Sequence, residues 1–257
     1  MIGGAGMIDE KVLVAKGSAG SKVERTGPSS WRLQIPAGET PEYRWAQLDN
    51  YGNQPRSRFA LRPPFALSVR ARVSQADLPG TWGFGLWNNP FTVELGIGGV
   101  TARFPALPNA AWFFHASPPN ALSFRDDLPA HGFLMAVFSS PLIPPGVLAL
   151  GLPWLPLLAF RPAARWIRRC LGRIIREDSA RLEIDPTVWH EYRLELKETS
   201  CRFEVDGRKM LETKVVPRGR LGLVLWIDNQ YAAFSQDGRL RSGALPNPQA
   251  WLELELR

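Results

Sequence analysis

The stretch that decides the fold is residues 189–228, WHEYRLELKETSCRFEVDGRKMLETKVVPRGRLGLVLWID, in the C-terminal third of the chain. Apolar residues take every second position in two short runs, Tyr192, Leu194, Leu196 and then Cys201, Phe203, Val205. A period of two is typical of a strand with one buried face. Between the strands, Asp206-Gly207 supplies the positive φ angles that a tight hairpin needs. The stretch therefore predicts antiparallel strands joined by hairpins.

Strand-like runs also fill the N-terminal half, namely KVLVAKG, SSWRLQIP, EYRWAQLDNYG, RFALRPPFALSVRARV and TWGFGLWNN. The chain closes on a further alternating run, AWLELELR. No segment with a helical period precedes residue 160, whereas a parallel βαβ sheet needs a helix after almost every strand. All-β sandwiches commonly reach this length of 257 residues as one unit. We therefore expect a single all-β domain over residues 1–257.

Three motifs in the C-terminal stretch carry a family resemblance: Trp-His-x-Tyr-Arg-Leu-Glu, Phe-Glu-Val-Asp-Gly and Gly-Leu-Val-Leu-Trp. They resemble the last strands of concanavalin A-like lectins and glucanases, among them glycoside hydrolase family 16 and laminin-G-like domains. Residues 82–91, WGFGLWNNPF, are similar to the strand that carries aromatics toward the ligand groove in those proteins. The resemblance implies a concanavalin A-like antiparallel β-sandwich, or jelly roll. That fold hosts lectins, hydrolases and adhesion modules alike.

The acids of family 16 are absent. That family places three acids on one strand as Glu-x-Asp-x-x-Glu, for nucleophilic and acid/base catalysis. Glu183-Ile-Asp185 begins the pattern, but Val188 stands where the third acid belongs. Glu204-Val-Asp206 leads into the hairpin turn instead. The chain thus resembles a branch that lacks the catalytic acids, and no nucleophile is carried over.

Another candidate for chemistry is His115, which lies among aromatics in PNAAWFFHASPPN, residues 108–120. A histidine titrates near neutrality and can act as a general acid or base, with Asp126 or Asp127 as the carboxylate that orients it. A hydrogen-bonded core histidine and a solvated turn explain the same residues. Whether the chain is a hydrolase, an acid-base lyase or isomerase, or no enzyme therefore stays open.

Aromatic residues beside amides and carboxylates form the candidate binding site. Its members are Trp82, Trp87, Asn88, Trp112, Phe114, Trp226, Asp228, Asn229 and Tyr231. Ring faces take the C–H surfaces of a sugar and the polar groups take its hydroxyls, although the same set would also line an apolar small-molecule pocket. Two cysteines and three scattered histidines offer no metal site, and no cofactor motif is present, so we expect no cofactor.

A different composition marks residues 133–180. Residues 133–160 carry no charge and are long enough to span a membrane, but five prolines argue against a spanning helix. PAARWIRRCLGRIIR then predicts an amphipathic helix with Trp166, Ile167, Cys170, Leu171, Ile174 and Ile175 on one face. The opposite face carries Arg165, Arg168, Arg169, Arg173 and Arg176. We expect an apolar loop plus a basic helix inserted within the sandwich.

This insertion has two interpretations. Its helix packs its apolar face on the sandwich and leaves the arginines in water, or it lies on an anionic membrane surface. Membrane contact would then be made by Trp154, Arg165, Trp166, Arg168, Arg169, Arg173 and Arg176. The net charge of +7 is concentrated here, so nucleic-acid binding is not expected. The first 17 residues lack a secretory signal pattern, which predicts a cytoplasmic location, at the inner face of the membrane.

Three functions are consistent with these patterns. The leading hypothesis is a carbohydrate- or glycoconjugate-binding protein that is peripherally associated with a membrane. The first alternative is an enzyme acting on a lipid-like or terpenoid apolar substrate, with His115 and Asp126 or Asp127 moving protons and the insertion as a lid. The second alternative is a non-enzymatic adhesion or scaffold module.

Overall fold

The computed structural model describes residues 12–90 and 106–257, and most of this part is β-structure. The strands of the described part are, in chain order, β1 (Val14–Gly17), β2 (Lys22–Gly27), β3 (Ser30–Ile35), β4 (Trp45–Asp49), β5 (Phe65–Val73), β6 (Thr81–Trp87), β7 (Ala110–Ala116), β8 (Gly132–Ser139), β9 (Arg176–Arg181), β10 (His190–Leu196), β11 (Cys201–Val205), β12 (Arg208–Thr213), β13 (Gly222–Asp228), β14 (Gln230–Phe234), β15 (Leu240–Ala244) and β16 (Ala250–Leu256).

These strands form two seven-stranded sheets and one separate hairpin, β14-β15. The first sheet has the order β1-β4-β13-β6-β7-β8-β9, and the second has the order β12-β11-β10-β5-β16-β3-β2. Neighbouring strands within both sheets run antiparallel. Many neighbours are distant in sequence, as where β5 lies between β10 and β16. The predicted all-β, jelly-roll type of antiparallel sandwich is therefore confirmed.

The core lies between the two sheets and follows from the alternation in each strand. In β5 every second residue from Phe65 to Val73 is buried, and the residues between them are partly exposed. β11 and β16 show the same pattern. The Asp206-Gly207 pair has φ angles of 51° and 74°, as the predicted hairpin between β11 and β12 requires. One buried face per strand thus accounts for the second sheet.

The first sheet differs because its central strands are buried on both faces. All residues of β8 after Gly132 are buried, although they belong to the uncharged run that the sequence analysis assigned to a loop. Burial on both faces removes charge from a strand, so the run could not be distinguished from an apolar loop by composition. The structure therefore places the insertion at residues 140–175, between β8 and β9, rather than at 133–180.

The insertion contains two helices and a 3₁₀ segment. They are α1 (Pro145–Ala149), the 3₁₀ segment Leu152–Ala159 and α2 (Arg161–Ile174). The predicted basic helix is confirmed as α2, with Pro162 in its first turn, where the missing N–H costs nothing. Within residues 12–90 and 106–257, no helix has the length and apolar character needed to cross a bilayer.

Replacing Phe203 by alanine tests the core. Its side chain is fully buried and makes an edge contact with Phe113, with ring centroids 5.0 Å apart. We expect the free energy of unfolding to fall by about 3–5 kcal/mol, measured by urea denaturation. The matched control is Met210→Ala on β12, whose side chain is exposed; it should change stability by less than about 0.5 kcal/mol. Equal losses in both variants would contradict the core position of Phe203.

Candidate functional site

The outer face of the first sheet, which points away from the core, carries a cluster of three tryptophans. We name Trp87, Trp112 and Trp226 the tryptophan face; all three are partly exposed. The rings of Trp87 and Trp226 are nearly parallel, 4° apart, with centroids separated by 6.5 Å. Trp112 is tilted against both, at 5.8 Å from Trp87 and 5.6 Å from Trp226. The structure thus brings together three aromatic residues of the predicted binding site.

A glycine at the centre of the cluster makes this packing sterically feasible. Gly85 pairs with Trp112 on one side and with Val224 on the other. A Cβ atom on Gly85 would lie 2.5 Å from the Cβ of Trp112 and 2.4 Å from the carbonyl oxygen of Ala111. Such distances are far inside van der Waals contact, so any side chain here would push Trp112 away. Gly85 is a positioning residue that the sequence analysis did not single out.

One polar flank of the tryptophan face is built on β4 and the turn after it. The indole Nε1 of Trp87 donates to the hydroxyl of Tyr51 at 2.9 Å, and Gln47 Nε2 donates to the same hydroxyl at 3.2 Å. Asp49, with no exposed surface, accepts from Gln47 at 2.8 Å and pairs with Lys16 at 3.2 Å. Buried charge is stable only when paired and hydrogen-bonded in this way. The flank therefore fixes Trp87 through the buried Tyr51, with the partly exposed Gln47 and Lys16 next to it.

The opposite flank carries a buried carboxyl group. Trp226 Nε1 donates to Thr81 Oγ1 at 2.8 Å, and that hydroxyl donates to Asp228 at 2.9 Å. Burial raises the pKa of Asp228 to about 7, although hydrogen bonds from Thr81, Gln230 and Tyr43 act in the opposite direction. Asp228 therefore orients Trp226 through Thr81 and lies at the edge of the tryptophan face.

Two predicted site residues lie on the wrong side of the sheet. Trp82 is 1% exposed in the core between the sheets, which corrects its assignment to the binding site. Successive side chains of a strand point to opposite faces, so Trp82 and Trp87, five residues apart, cannot share one. His115 stacks on Trp82 with ring centroids 5.8 Å apart, and it too is buried. Its Nδ1 has no hydrogen-bond partner in the described ranges.

The predicted carboxylate partners of His115 are engaged elsewhere. Asp126 binds Arg168 at 2.6 Å, and Asp127 forms an ion pair with Arg125. His115 faces the core, whereas both aspartates are exposed. The structure therefore does not assemble the proton-transfer pair, and the catalytic assignment of these three residues is corrected on geometry.

Arg168 is the other residue whose role differs from the prediction. It is buried, and besides Asp126 it donates to the carbonyl oxygens of Ser123 at 3.1 Å and Phe234 at 2.9 Å. These bonds fix α2 to the loop before β8 and to the β14-β15 hairpin. Arg168 therefore anchors the helix inward, and its assignment as a membrane-contact residue is corrected.

The remaining predicted binding residues support the scaffold. Asn88 is buried and binds the backbone of Leu107 and Asn109, at 2.8 and 3.0 Å. Asn229 is fully buried, and its side-chain amide joins three segments by bonds of 2.6–3.2 Å to Glu42, Arg44, Leu245 and Asn247. Both amides hold loops rather than reach solvent. Tyr231 is partly exposed on β14.

The insertion covers the part of this outer face beyond the tryptophan face. Phe114, Leu134 and Phe138 are buried there in a cluster to which Ile175 and Leu171, at the end of α2, contribute. Phe114 thus lies beside Trp112 on the same face, with ring centroids 5.6 Å apart, and it is covered by the insertion instead of contacting a ligand. The covered and the open half of the sheet meet at Trp112.

The sequence contains a pattern that predicts the polar residues of the flank on β4, which were not among the expected site residues. In EYRWAQLDNYG, Trp45, Gln47 and Asp49 alternate with the buried Ala46 and Leu48. That alternation places the polar residues on the outer face, the face of Trp226 on the neighbouring strand.

Among the described residues, no group of three or more His, Cys, Asp or Glu side chains is arranged to hold a metal ion.

No known protein family matches the chain, and no curated protein sequence does. Among solved structures, it is similar to a glycoside hydrolase family 16 endo-glucanase from Bacteroides ovatus, with a TM-score of 0.49 and 10% identity over 98% of this chain and 97% of that one. A legume lectin-like domain from Entamoeba histolytica gives 0.46 and 13%, over 96% and 90%. A β-glucanase from Bacillus licheniformis gives 0.43 and 10%, over 96% and 91%. These likenesses concern the fold alone.

Two buried groups should shift stability in opposite directions between pH 4 and 7. Burial lowers the pKa of His115 from 6.5 to about 4, opposed by the charge of Asp77, so the unfolded chain holds this proton more tightly. The contribution of His115 therefore lowers the free energy of unfolding as the pH falls from 6.5 to 4. Asp228 has a folded pKa of about 7 against 3.8 unfolded. It therefore removes stability as the pH rises from about 4 to 7.

Single substitutions should separate the two effects. Relative to wild type, His115→Phe should gain stability on acidification from pH 6.5 to 4, by on the order of 3 kcal/mol. Asp228→Asn should instead lose stability, relative to wild type, on acidification from pH 7 to 4, by on the order of 4 kcal/mol. Urea midpoints measured at pH 4, 5, 6 and 7 test this. Difference curves of the same sign would show that one of the two environments is wrong.

Proposed function

We propose that the chain binds a saccharide at the tryptophan face without hydrolysing it. The observation that carries the proposal is a set of partly exposed indoles, held in place by hydrogen bonds from Trp87 to Tyr51 and from Trp226 to Thr81. Because these indole rings are already held in one orientation, they can stack on the C–H faces of sugar rings with little further loss of side-chain entropy. Gln47 and Lys16 are partly exposed beside them, and the Oε1 of Gln47 and the ammonium of Lys16 add polar groups for the sugar hydroxyls.

The tryptophans on the outer face of the second sheet do not offer such faces. On the outer face of the second sheet, Trp189 is covered by the guanidinium groups of Arg70 and Arg72, at 4.8 and 4.9 Å from its ring centroid. In the described ranges no cation lies over Trp112 or Trp226. Cation–π pairs occupy an aromatic face that a sugar would otherwise use. Trp112 and Trp226 thus differ from Trp189, since no cation of the described residues occupies their ring faces.

Among the described residues, the two carboxylates beside the tryptophan face, Asp49 and Asp228, are too far apart for glycoside hydrolysis. Asp49 lies opposite Val224, and Asp228 is four residues further along β13. Four residues of strand extend about 13 Å, whereas retaining enzymes hold their two carboxyl groups about 5 Å apart and inverting enzymes about 6.5–9.5 Å apart. Both carboxylates are also occupied by internal hydrogen bonds. Binding without turnover is therefore the function that the geometry supports.

The apolar-substrate alternative has less support. Its proton-transfer residue, His115, is buried in the core, and the insertion does not close over the tryptophan face as a lid would. Leu150 and Trp154 in the insertion are 74% and 66% exposed, so they point to solvent and not into a pocket. An apolar substrate needs the opposite arrangement, in which such side chains line an enclosed cavity.

Trp112→Ala and Trp226→Ala test the saccharide site. With a ligand first identified on an oligosaccharide array, we expect each variant to weaken binding by about tenfold or more, because one stacked ring contributes about 1–3 kcal/mol. Isothermal titration calorimetry measures the affinity, and chromatography of the incubated oligosaccharide should show no cleavage products.

The control is Trp189→Ala, which removes an equally half-buried indole from the second sheet. It should leave saccharide affinity unchanged. The proposal fails if the array contains no ligand, or if the two variants of the tryptophan face bind as wild type does. Cleavage products would overturn the non-catalytic part alone.

We further propose that the insertion holds the chain at the surface of an anionic membrane. Eight of the thirteen large apolar side chains exposed in the described ranges lie in the insertion: Leu142, Val147, Leu150, Trp154, Leu157, Phe160, Trp166 and Ile174. Such a concentration of exposed apolar side chains in one segment is typical of an interaction surface. The predicted apolar face of α2 is divided, because Leu171 and Ile175 pack inward while Trp166 and Ile174 point outward.

Charge selects the partner. The insertion contains no acidic residue, and α2 exposes Arg161, Arg165, Arg169 and Arg173. Apolar and aromatic side chains flanked by arginines suit the boundary between headgroups and acyl chains of an anionic bilayer, where each basic residue contributes about 1 kcal/mol.

Vesicle co-sedimentation tests this second proposal. Wild type should sediment with vesicles of phosphatidylcholine and phosphatidylglycerol and much less with phosphatidylcholine alone. Arg165→Glu/Arg169→Glu should remove the preference for anionic vesicles, since each substitution reverses a charge. Trp154→Ser/Trp166→Ser should weaken sedimentation about tenfold through lost apolar contact. The control, Arg193→Glu/Arg208→Glu, reverses two exposed charges on the second sheet. Equal sedimentation of all forms would refute membrane contact by the insertion.

A further inference from the structure

A cleft of about 580 Å³ lies where the insertion joins the sandwich, apart from the tryptophan face. Four basic side chains line it, Arg62, Arg176, Lys214 and Arg218, against a single acid, Glu198. Their charges sum to +3, and all five side chains are exposed. Like charges gathered around one cavity repel each other, and an anionic ligand relieves that repulsion.

Some arginines of this surface are neutralised by an acidic partner, such as Arg72 with Glu253 at 2.8 Å and Arg239 with Asp237 at 2.9 Å. For the four cations of the cleft, no side-chain hydrogen bond or ion pair is found among the described residues. Their donors are therefore available to an incoming anion.

Backbone contacts fix the segments that carry these side chains. Asn109, which is buried, accepts from the backbone N–H groups of Arg218 and Ser140, at 2.7 and 3.0 Å. This amide joins the loop after β12 to the start of the insertion. Arg176 is the first residue of β9 and pairs with Ser139 on β8. Two of the four cations thus lie on segments tied to the same corner of the first sheet.

The other two cations are positioned from the second sheet and its connections. Arg62 follows Leu61, which forms two backbone hydrogen bonds with Leu221, at 3.1 and 2.9 Å. Lys214 comes directly after the last residue of β12, Thr213. Four segments from different parts of the chain therefore meet at one opening, and backbone hydrogen bonds or strand pairing hold the segments of Arg62, Arg176 and Arg218.

We propose that this cleft binds a phosphate group that carries two negative charges, as in a phosphomonoester. Three guanidinium forks match phosphate oxygens with paired, charge-assisted hydrogen bonds, and a lysine adds a point charge. The volume is within the range of small-ligand sites. Leu142, which also lines the cleft, is 65% exposed, so the opening lies next to the apolar surface of the insertion. The phosphate could belong to a soluble ester or to a lipid headgroup.

Two arms of one experiment distinguish these sources. In the first, calorimetry measures binding of glycerol 3-phosphate, and Lys214→Ala/Arg218→Ala should weaken it by about tenfold or more. In the second, co-sedimentation compares vesicles containing phosphatidic acid with vesicles containing the same fraction of phosphatidylglycerol. There, the same variant should lose the wild-type preference for phosphatidic acid, whose headgroup is a phosphomonoester.

The matched control is Arg193→Ala/Arg208→Ala, which removes two exposed cations from the second sheet. It should behave as wild type in both arms, and thermal unfolding should show all forms folded. A loss in the cleft variant in either arm supports the site, and the arm identifies the source. If wild type, cleft variant and control agree in both arms, the proposal is wrong. Arg165→Glu/Arg169→Glu, which leaves the cleft intact, separates this outcome from a failure of the membrane proposal.

Discussion

The central strands of the first sheet are apolar on both of their faces, and the rest of the structure depends on covering them. One face packs on the second sheet, and burial of this kind stabilises a sandwich in proportion to the apolar area removed from water. The other face needs a separate cover, which α2 and the loop before β8 supply over Phe114, Leu134 and Phe138. Arg168 attaches that cover by bonds to Asp126, Ser123 and Phe234. Where the cover ends, the tryptophans begin.

Much of the fold could be predicted because its determinants are local. Alternation in β5 and β11 and the Asp206-Gly207 turn act within a few residues, and they specify strands and hairpin correctly. The boundary of the insertion could not be predicted, since a strand buried on both faces has the composition of an apolar loop. The partner of Arg168 could not be predicted either, because Asp126 lies 42 residues away and only the folded chain brings them together.

The candidate site was predicted in part for a similar reason. Three of the tryptophans are real neighbours, but their proximity arises from the strand order β13-β6-β7, which the sequence does not reveal. Trp82 does not belong to the site because it lies an odd number of residues from Trp87 on the same strand and so points to the other face. That spacing could have been read from the sequence. The space around Trp112 depends on Gly85, whose significance appears only when the neighbouring strand is in place. The alternation in each strand predicts which aromatic residues point outward, whereas the order of the strands in the sheet decides which of them are neighbours.

The insertion begins and ends next to one pair of residues on adjacent strands of the first sheet. Ser139 and Arg176 are paired residues on adjacent strands, so 36 residues leave and return across one interstrand gap. Such an insertion can be gained or lost in evolution without any change in the order of the strands. Its loss would still expose an apolar surface on the first sheet. Relatives that replace it with a plain β-turn must therefore carry polar residues where this chain has Phe114, Leu134 and Phe138, or shield them by self-association.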